Sequence, residues 1–598
     1  MEIKRTFDIL DRYKTVNKRE VALCGKKNGE WHSFSSDEYI EISNYVSYGL
    51  LELGLKKGDK IATVSNNRPE WNFIDMGMSQ IGVVHVPVYP TLSEEEYTHI
   101  FKHSGVKLLV LSDNKLYKTL KPVADKIPAI KHIYSFNEID GLDNFNQIID
   151  LGKENQQKYS EEVEKIKASI HPDDMVSIIY TSGTTGLSKG VMLSHNNFIS
   201  NVMSAMPVVP LDPHDKALSF LPLCHVFERM VCYLYQYIGI NIYYAENMGT
   251  IGRDLKELKV HVFVSVPRLL ESVFDKIIAK GKDLKGIKKS LFFWAVNLGL
   301  RYEHNRENGW FYELQLKIAN KLIFDKWRDA LGGNIKLVVS GGAALQPRLA
   351  RVFWAAGIIA MEGYGLTETS PVVAVNYNHY PKAKFGTVGP IVDNVEVKIA
   401  DDGEILVKGP NIMLGYYNDK EKTDEVIDKD GWFHTGDVGE IVEGKFLKIT
   451  DRKKEIFKNS AGKYIAPQVI ENKFKESFFI EQIIVVGENQ KFASAIITPN
   501  VSFLHDYSAR KKIHYRDNKE LIKNPIIIAR MQKEVDIINK TLGFAEQIKR
   551  FRLVSEEWST DTGELSPTLK LKRKFITEKY SDVLEEIYSV GHDNIGKE

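Results

Sequence analysis

Segments with the periodicity of β-strands and of α-helices alternate along most of this chain, and this alternation is what most constrains its fold. Short β-rich runs occur at Lys60–Val64 and Lys107–Leu111, and the helical stretches Glu70–Ile81 and Glu94–His103 lie between them. Strands that alternate with helices favour parallel sheets whose faces are covered by helices. We therefore predict an α/β fold, with parallel sheets in a large N-terminal domain.

The pattern changes near Val395, where strands are joined by tight turns. VEVKIADDGEILVKG predicts a hairpin that turns at Asp401-Asp402-Gly403, and VGEIVEGKFLKI predicts another that turns at Glu443-Gly444. We predict a small β-rich subdomain here, at about residues 390–450. The charged run Asp451–Glu455 follows, and we interpret it as a surface linker that cannot be core. The predicted domains are a large domain (1–450), a linker (451–455) and a small α+β C-terminal domain (456–598).

Composition excludes several classes of protein. The chain has 80 Lys and Arg against 79 Asp and Glu, and 43% of its residues are apolar. Disorder would need a low apolar content and a large net charge, and nucleic-acid binding across the surface would need a basic excess. Three cysteines without CxxC spacing make a disulfide framework or a zinc site improbable and favour a reducing compartment.

No segment is as long and apolar as a membrane-spanning helix, which needs about 18 residues. The longest apolar run, Leu291–Leu300, covers ten residues and includes Asn297. The N-terminus lacks the apolar core of a signal peptide. We expect a cytoplasmic protein, attached at most peripherally to the inner face of a membrane. The oligomeric state cannot be inferred from these features.

The section 267–331 is predicted to be mostly helical and is rich in aromatic residues and lysines. Within it, Lys288-Lys289, the run LFFWAVNLGL and Arg301 would suit a helix lying in a membrane interface. A buried helix that covers a sheet is the simpler interpretation of the same run.

The segment Tyr180–Gly190, YTSGTTGLSKG, follows the strand-like run Met175–Ile179. Its three glycines allow close approach of backbone N–H groups to an anion, its hydroxyl side chains add donors, and Lys189 adds a positive charge. A polyphosphate is the expected ligand, although the Walker A pattern does not fit. A flexible Ser/Thr/Gly loop is the alternative, and the ordered placement of three glycines and a lysine after a strand favours the phosphate loop.

This segment resembles the phosphate loop of the adenylate-forming enzymes, the superfamily of acyl-CoA synthetases, luciferases and peptide-synthetase adenylation domains. Further stretches match in the order that the family uses, over about residues 20–580. Ser340–Ala343 and Gly363–Thr369 resemble its adenine-side motifs. The block from Asp430 to Lys454 resembles that of fatty acyl-CoA synthetases, and Ser566–Arg573 resembles the motif with the catalytic lysine.

The resemblance implies ATP as a substrate and Mg²⁺ as a cofactor held by Thr184 and Glu368. Thr367 would contact the α-phosphate or the substrate carboxylate, and Tyr364 would face the adenine. Asp437 would accept the ribose hydroxyls. The complete set of implied ATP-binding residues is Thr181, Ser182, Gly183, Thr184, Thr185, Gly186, Lys189, Gly341, Gly342, Ala343, Tyr364, Gly365, Thr367, Asp437 and Arg452.

Without the resemblance, each of these side chains has an ordinary structural interpretation. Glu368 would be an acid at a helix start, Tyr364 a core aromatic residue, Asp437 a turn residue and Arg452 a solvated charge. Lys570 would belong to a basic surface run with Lys572, Arg573 and Lys574.

The resemblance assigns Lys570, with Thr367 and Glu368, to the catalytic residues. Lys570 would act as a fixed cation between the attacking carboxylate and the α-phosphate. Family members rotate the small domain between two half-reactions, which implies a hinge at Lys454 and a loop at Gly462 that approaches CoA. A flexible charged tether is the alternative to the hinge.

The acyl substrate is expected to be a long-chain fatty acid, and the expected reaction joins it to CoA through an acyl-AMP intermediate. Besides the block at Asp430–Lys454, the stretch Phe220–Arg229 resembles the acyl-pocket motif of long-chain synthetases, and it places His225 at the pocket wall. By itself, His225 would be a structural histidine and Cys224 a small core residue. The alternatives are a fatty acyl-AMP ligase that serves a carrier protein, a short-chain or aryl-acid synthetase, and a non-catalytic acyl- or nucleotide-binding protein.

Overall fold

The strands of the protein, seen in a computed structural model, follow the predicted alternation. The structure describes residues 3–181, 188–560, 562–566 and 570–589. The strands are β1 (Leu23–Lys27), β2 (Glu30–Phe34), β3 (Lys60–Val64), β4 (Val84–Val88), β5 (Leu108–Leu111), β6 (His132–Ser135), β7 (Asp143–Asn144), β8 (Met175–Thr181), β9 (Lys189–Ser194), β10 (Lys216–Ser219), β11 (Asn241–Tyr244), β12 (Val262–Ser265), β13 (Leu337–Ser340), β14 (Ala360–Gly365), β15 (Val372–Val375), β16 (Glu396–Ile399), β17 (Glu404–Lys408), β18 (Gly415–Tyr416), β19 (Phe433–Val442), β20 (Phe446–Arg452), β21 (Phe457–Lys458), β22 (Tyr464–Ile465), β23 (Ile480–Val486), β24 (Ser494–Pro499) and β25 (Arg550–Leu553).

Helices separate most of the strands up to residue 360. The helices are α1 (Asp8–Thr15), α2 (Ser36–Glu52), α3 (Pro69–Gln80), α4 (Glu94–Ser104), α5 (Asn114–Ala124), α6 (Phe145–Glu154), α7 (Gln156–Ser169), α8 (His195–Ala205), α9 (Val226–Ile238), α10 (Ile251–Leu258), α11 (Pro267–Asp283), α12 (Gly286–Gly299), α13 (Gly309–Ala319), α14 (Asp325–Ala330), α15 (Pro347–Ala355), α16 (Lys420–Val426), α17 (Pro467–Phe474), α18 (Val501–Lys511), α19 (Asn518–Leu521), α20 (Pro525–Asn539), α21 (Arg573–Lys579) and α22 (Ser581–Ser589).

Local sequence explains where individual helices begin and end. Helix α4 begins after Ser93, whose hydroxyl accepts from the N–H of Glu96 while the Glu96 carboxylate accepts from the N–H of Ser93. It ends at Gly105, which has a φ of 69° that glycine adopts without a steric penalty. Helix α20 begins with Pro525 at its first position, where a missing N–H costs nothing.

Within the described residues, two eight-stranded sheets form the larger unit. Their orders are β15-β14-β13-β12-β10-β11-β1-β2 and β18-β9-β8-β4-β3-β5-β6-β7. Neighbouring strands are parallel in the middle of both sheets, and antiparallel pairs occur at β14–β15, β1–β2, β8–β9 and β9–β18. Buried aliphatic side chains of β3, β4 and β5 pack against α4 and α5, as expected of parallel strands that are covered by helices. The predicted α/β class is confirmed.

The chain forms two compact units. The first comprises Met1–Lys398, Leu406–Thr435 and Glu443–Leu447, and the second comprises Ile399–Ile405, Gly436–Val442 and Lys448–Glu598. The second unit has its own core, in which the sheet β23-β24-β25 packs against α17 and α20. The predicted boundaries at residues 450 and 455 enclose the predicted hinge. Both the boundaries and the hinge stay a prediction.

Both predicted hairpins are present. β16 and β17 flank a turn at Gly403, and β19 and β20 flank a turn at Glu443 and Gly444, each of which has a positive φ. With their partners they form the sheet β16-β17-β19-β20.

The interpretation of the whole run 451–455 as surface was wrong for Asp451. This residue belongs to β20 and is fully buried, and its carboxylate accepts hydrogen bonds from the N–H groups of Arg452 (2.6 Å) and Gln468 (3.0 Å). Burial raises the pKa of Asp451 to about 7. A buried carboxyl that is satisfied by backbone donors is tolerated in a core, and a charge pattern alone does not reveal such donors.

The section 267–331 is helical, as predicted, and contains α11 to α14. The apolar run Leu291–Leu300 lies mostly in α12, where Phe292, Ala295, Val296, Leu298 and Gly299 are buried. The structure therefore favours the simpler interpretation of this run, a helix that packs into the protein. No helix in the described part of the chain is both long and apolar enough to cross a membrane.

Candidate active site

The two strands that flank the predicted phosphate loop form an antiparallel pair. Thr181 at the end of β8 lies opposite Lys189 at the start of β9. Helix α4 supports both sides of this pair, since His103 Nδ1 lies 2.7 Å from the Tyr180 hydroxyl and His99 Nε2 lies 2.9 Å from the carbonyl oxygen of Ser188. The predicted residues Ser182, Gly183, Thr184, Thr185 and Gly186 lie outside the described residues.

Tyr416 links two of the predicted site residues. Strand β18 pairs with β9, which places the ring of Tyr416 below Lys189, with the Lys189 Nζ 4.6 Å from the ring centroid. The Tyr416 hydroxyl donates a 3.0 Å hydrogen bond to Glu368 Oε1. Burial and the charge of Glu368 raise the pKa of Tyr416 well above its usual value, so this hydroxyl stays a donor. One side chain thus positions the lysine of the phosphate loop and the carboxylate predicted to hold Mg²⁺.

The turn that carries Thr367 and Glu368 is fixed by its neighbours. A Cβ atom on Gly365 would lie 1.7 Å from the carbonyl oxygen of Pro371, so only glycine fits there. Thr367 is buried, and the carbonyl oxygen of Glu368 accepts a 2.9 Å hydrogen bond from the N–H of Met413. Tyr364 is half-buried at the end of β14.

The predicted adenine-side loop leaves the adjacent strand β13. Gly341 donates its N–H to the carbonyl oxygen of Ser265 (3.1 Å), and a Cβ at this position would lie 3.2 Å from the ring of Phe227. Gly342 has a φ of 81°, and Gly342 and Ala343 are exposed. Glycines at these two positions allow a sharp turn at the end of a buried strand.

Glu362 was missed in the sequence. It lies on β14 opposite Ser340 of β13, and its Oε1 accepts a 2.8 Å hydrogen bond from the N–H of Leu345. Burial raises the pKa of Glu362 to about 8, which keeps the carboxyl protonated at neutral pH. The residue ties the adenine-side loop to the strand that ends in Tyr364. Its signal in the sequence is a glutamate inside an otherwise apolar strand.

In the second unit, the structure brings Asp437 and Arg452 together. They lie on β19 and β20, and Arg452 Nε is 3.3 Å from Asp437 Oδ1. Asp437 is buried, whereas the Arg452 side chain is partly exposed. An arginine beside the carboxylate restrains its orientation.

Lys570 is exposed, and its backbone is joined to that of Ser566. The Lys570 N–H donates to Ser566 Oγ (3.1 Å), the Ser566 N–H donates to the carbonyl oxygen of Lys570 (2.8 Å), and Leu565 pairs with Leu571. Residues 567–569 lie outside the described residues. The backbones of Ser566 and Lys570 are thus held together, and Lys570 is exposed.

Arg573, also missed in the sequence as a site residue, attaches this segment to the predicted linker. It forms ion pairs with Glu455 (2.7 Å) and with the buried Glu471 (2.6 Å), and nearby negative charge raises the pKa of Arg573 despite its burial. Because Glu455 belongs to the predicted linker, the end of the linker and the Lys570 segment are coupled.

The predicted hinge and CoA residues both lie in turns. Lys454 is exposed, in a turn where the N–H groups of Glu455 and Ile456 donate to the carbonyl oxygen of Arg452. Gly462 has a φ of 74° and donates its N–H to the carbonyl oxygen of Asn459.

His225 begins α9, and its Nδ1 accepts a 3.2 Å hydrogen bond from the N–H of Phe227. Cys224 is buried, and burial raises the pKa of its thiol far above the usual range, as expected of a core residue.

The described residues contain no cluster of three or more His, Cys, Asp or Glu side chains that could hold a metal ion. Glu368, oriented by Tyr416, is instead a single carboxylate next to the strand pair of the phosphate loop. Such a ligand set suits Mg²⁺, which binds to few protein ligands and completes its coordination with phosphate oxygens and water.

Comparison with known proteins identifies the family of both parts of the chain. The family described as AMP-binding enzyme matches residues 10–417, and the AMP-binding enzyme C-terminal domain matches residues 455–591. The long-chain-fatty-acid–CoA ligase FadD15 of Mycobacterium bovis is 31% identical over 94% of this chain and 93% of its own length. Long-chain-fatty-acid–CoA ligase 1 of Homo sapiens is 32% identical over 94% of this chain and 82% of its own length.

Solved structures share the fold. The anthranilate CoA ligase AuaEII in complex with anthranoyl-AMP superposes with a TM-score of 0.72 at 17% identity, covering 96% of this chain and 97% of that one. A fatty acyl CoA synthetase of Mycobacterium tuberculosis superposes with a TM-score of 0.60 at 19% identity, covering 97% and 99%. With family matches to both parts of the chain and relatives of more than 30% identity along most of it, the chain belongs to the AMP-binding enzymes.

Proposed function

We propose that this enzyme is a long-chain fatty acid–CoA ligase that works through an acyl-AMP intermediate. The observation that carries the proposal is its similarity to long-chain-fatty-acid–CoA ligases over more than 90% of its length. The link from Lys189 through Tyr416 to Glu368 supports it, because this link joins the lysine predicted to bind phosphate to the carboxylate predicted to hold the metal.

In the first half-reaction, a carboxylate oxygen of the fatty acid attacks the α-phosphorus of ATP and the bond to pyrophosphate breaks. Two anions approach each other, so fixed positive charge and hydrogen-bond donors lower the barrier. Lys189 would hold the phosphates, Thr367 the α-phosphate or the carboxylate, and Lys570 would bridge the reacting groups. Mg²⁺, held by Glu368 and Thr184, would neutralise charge on the phosphate oxygens.

The nucleoside would be held through its adenine and through its ribose. Tyr364 would pack against the adenine beside Gly341, Gly342 and Ala343, with Gly365 allowing the close turn. Asp437 would accept the ribose hydroxyls, oriented by Arg452 3.3 Å away.

In the second half-reaction, the thiol sulfur of CoA attacks the acyl carbonyl carbon and AMP leaves with the electrons of the broken C–O bond. Lys570 has no role in this step. We propose that the small domain, beginning after the hinge 451–455, rotates about Lys454 between the steps and brings Gly462 near CoA. The coupling of Glu455 to Arg573 supports a movement of the Lys570 segment together with the end of the hinge.

The acyl chain would pass His225 at the pocket wall. Each buried CH₂ contributes about 0.8 kcal/mol, so a two-carbon difference changes binding about fifteen-fold, and a sharp upper limit needs a closed tunnel. We propose acids of about C12–C18, which partition into bilayers, and therefore peripheral contact with a membrane surface.

A panel of acids from C2 to C20, assayed for AMP release and acyl-CoA formation with and without CoA, tests the proposal. We expect acyl-CoA formation to peak at C12–C18 and to require CoA. A peak at C2–C6 would contradict the substrate class. Acyl-AMP formation without transfer to CoA would indicate a fatty acyl-AMP ligase, and absence of AMP release with every acid would indicate a non-catalytic protein.

A further inference from the structure

Helix α13 carries apolar side chains on two opposite faces. One face is buried and contains Tyr312, Leu316 and Ala319, and the Tyr312 hydroxyl donates a 2.8 Å hydrogen bond to the carbonyl oxygen of Leu298 in α12. The helix is therefore firmly attached to the protein. The other face is also apolar, although a helix on the surface of a protein normally has polar residues there.

We call this second face the α13 stripe. Its side chains are exposed to different extents: Trp310 79%, Phe311 59%, Leu314 49% and Ile318 46%. The spacing of four residues from Trp310 to Leu314 to Ile318 aligns them along one side of the helix. The rings of Trp310 and Phe311 are in edge contact, with centroids 5.8 Å apart. A contiguous exposed apolar surface of this kind is typical of an interaction site.

Positive charge accompanies the stripe. The segment 280–326 contains ten Lys and Arg residues against five Asp and Glu, whereas the whole chain has a net charge of +1, so the rest of the chain is net negative. Lys317 and Lys321, which are exposed, lie on α13 and on the helical turn that follows it. Lys285, Lys288 and Lys289, at the start of α12, are exposed as well.

We propose that α13 is an interfacial helix that inserts the α13 stripe into an anionic phospholipid membrane. Trp and Phe at the boundary between headgroups and acyl chains, with lysines beside them, are the pattern of a helix that lies in a membrane surface. Lysines within a Debye length of anionic headgroups add attraction that falls with salt. A second copy of the chain suits the α13 stripe less well as a partner. A two-fold contact through this face would bring the lysines of both copies together, and their like charges would repel.

The inference names the surface for the membrane contact proposed above. It also differs from the expectation for Leu291–Leu300, because half of that run is buried, its one exposed residue is Asn297, and the exposed apolar side chains of the stripe are on the next helix. The biological purpose of this membrane contact rests on the proposed fatty acid substrate. The binding of the α13 stripe to lipid is independent of that proposal, because it requires neither ATP nor an acid.

The test is co-sedimentation of the full-length protein with vesicles of phosphatidylcholine and phosphatidylglycerol, and with vesicles of phosphatidylcholine alone. We expect the wild-type protein to pellet with the anionic vesicles and to be released by salt. The double variant Trp310→Ser/Leu314→Ser should bind to the anionic vesicles about 100-fold more weakly. The reason is that two large apolar side chains are no longer transferred from water into the membrane. The matched control is Phe544→Ser, which removes an 82% exposed aromatic ring from the second unit and should leave binding unchanged.

Equal binding of the double variant and the wild type would overturn the proposal, as would a wild type that does not pellet. Sedimentation velocity without lipid adds a second criterion: a wild-type dimer that the double variant converts to a monomer would assign the α13 stripe to a second copy and overturn the membrane assignment. Normal acyl-CoA formation together with no lipid binding would refute this inference and the proposed membrane contact, and would leave the proposed ligase activity intact.

Discussion

Lys189 and Lys570, one in each unit, are held in very different ways. Lys189 lies in a paired strand, opposite Thr181 and 4.6 Å from the centroid of the Tyr416 ring. Lys570 is exposed and lies outside the strands, and its backbone is joined to Ser566 by hydrogen bonds. The first cation is therefore part of the sheet, and the second is carried on a segment that Arg573 joins to the end of the linker. This difference is what an enzyme needs if it keeps one phosphate contact and withdraws the other.

Substitution of Lys570 should have the largest effect. We expect Lys570→Ala to slow acyl-AMP formation about 10²–10³-fold, because a fixed cation at the reacting groups is lost. Pyrophosphate release in the absence of CoA measures this step. Lys572→Ala, a neighbouring exposed lysine, is the control and should stay near the wild-type rate. Similar losses in both variants would mean that the basic run acts only as a charged surface.

Substitutions of Tyr416 test how the surroundings of Lys189 are held in place. Tyr416→Phe keeps the ring near Lys189 and loses the hydrogen bond to Glu368. We therefore expect adenylation to fall about 10-fold, chiefly because higher concentrations of Mg²⁺ and ATP are needed for the half-maximal rate. Tyr416→Leu loses both contacts and should fall further. Adenylation rates over a Mg²⁺ titration distinguish the two variants. Equal rates for the phenylalanine variant and the wild type would show that the hydroxyl has no part in positioning Glu368.

Glu362 should have the smallest effect on adenylation, and its contribution should be seen in stability. Its folded pKa, about 8, exceeds the value of an unfolded glutamate, so the folded state holds the proton more tightly. Stability is therefore lost as pH rises between the two pKa values, by at most about 1.4 kcal/mol per pH unit. In Glu362→Gln the amide oxygen still accepts from Leu345 and nothing titrates.

Thermal unfolding of both proteins from pH 5 to 9 checks this prediction. The melting temperature of Glu362→Gln relative to the wild type should rise with pH up to about 8 and then level off. A difference that does not change with pH would show that Glu362 is not a buried titrating group.

The sequence predicted the fold well where a local pattern decides it. Strand β3, helix α4 and both hairpin turns lie where periodicity and turn residues placed them. The families of the two parts of the chain were also predictable, because each motif is a continuous stretch. Local patterns have direct physical causes, such as glycine at a positive φ, and these causes can be read without a structure.

Contacts between distant segments could not be predicted. Tyr416 meets Glu368 only because β18 pairs with β9, and Glu362 reaches Leu345 only through the register of β13 and β14. Asp451 looked exposed because its neighbours are charged, yet the backbone donors that satisfy it come partly from Gln468. The exposure of the α13 stripe is likewise a property of packing, since helical periodicity does not tell which apolar face is covered.

The central claim is that Lys570 serves only the first half-reaction, and the second half-reaction of the Lys570→Ala variant tests it most directly. The variant and the wild type are supplied with purified long-chain acyl-AMP and CoA, and acyl-CoA formation is followed. We predict rates within about threefold of each other, since AMP is displaced without a cation at the α-phosphate. A loss as large as that of acyl-AMP formation would contradict the account and place Lys570 in both half-reactions.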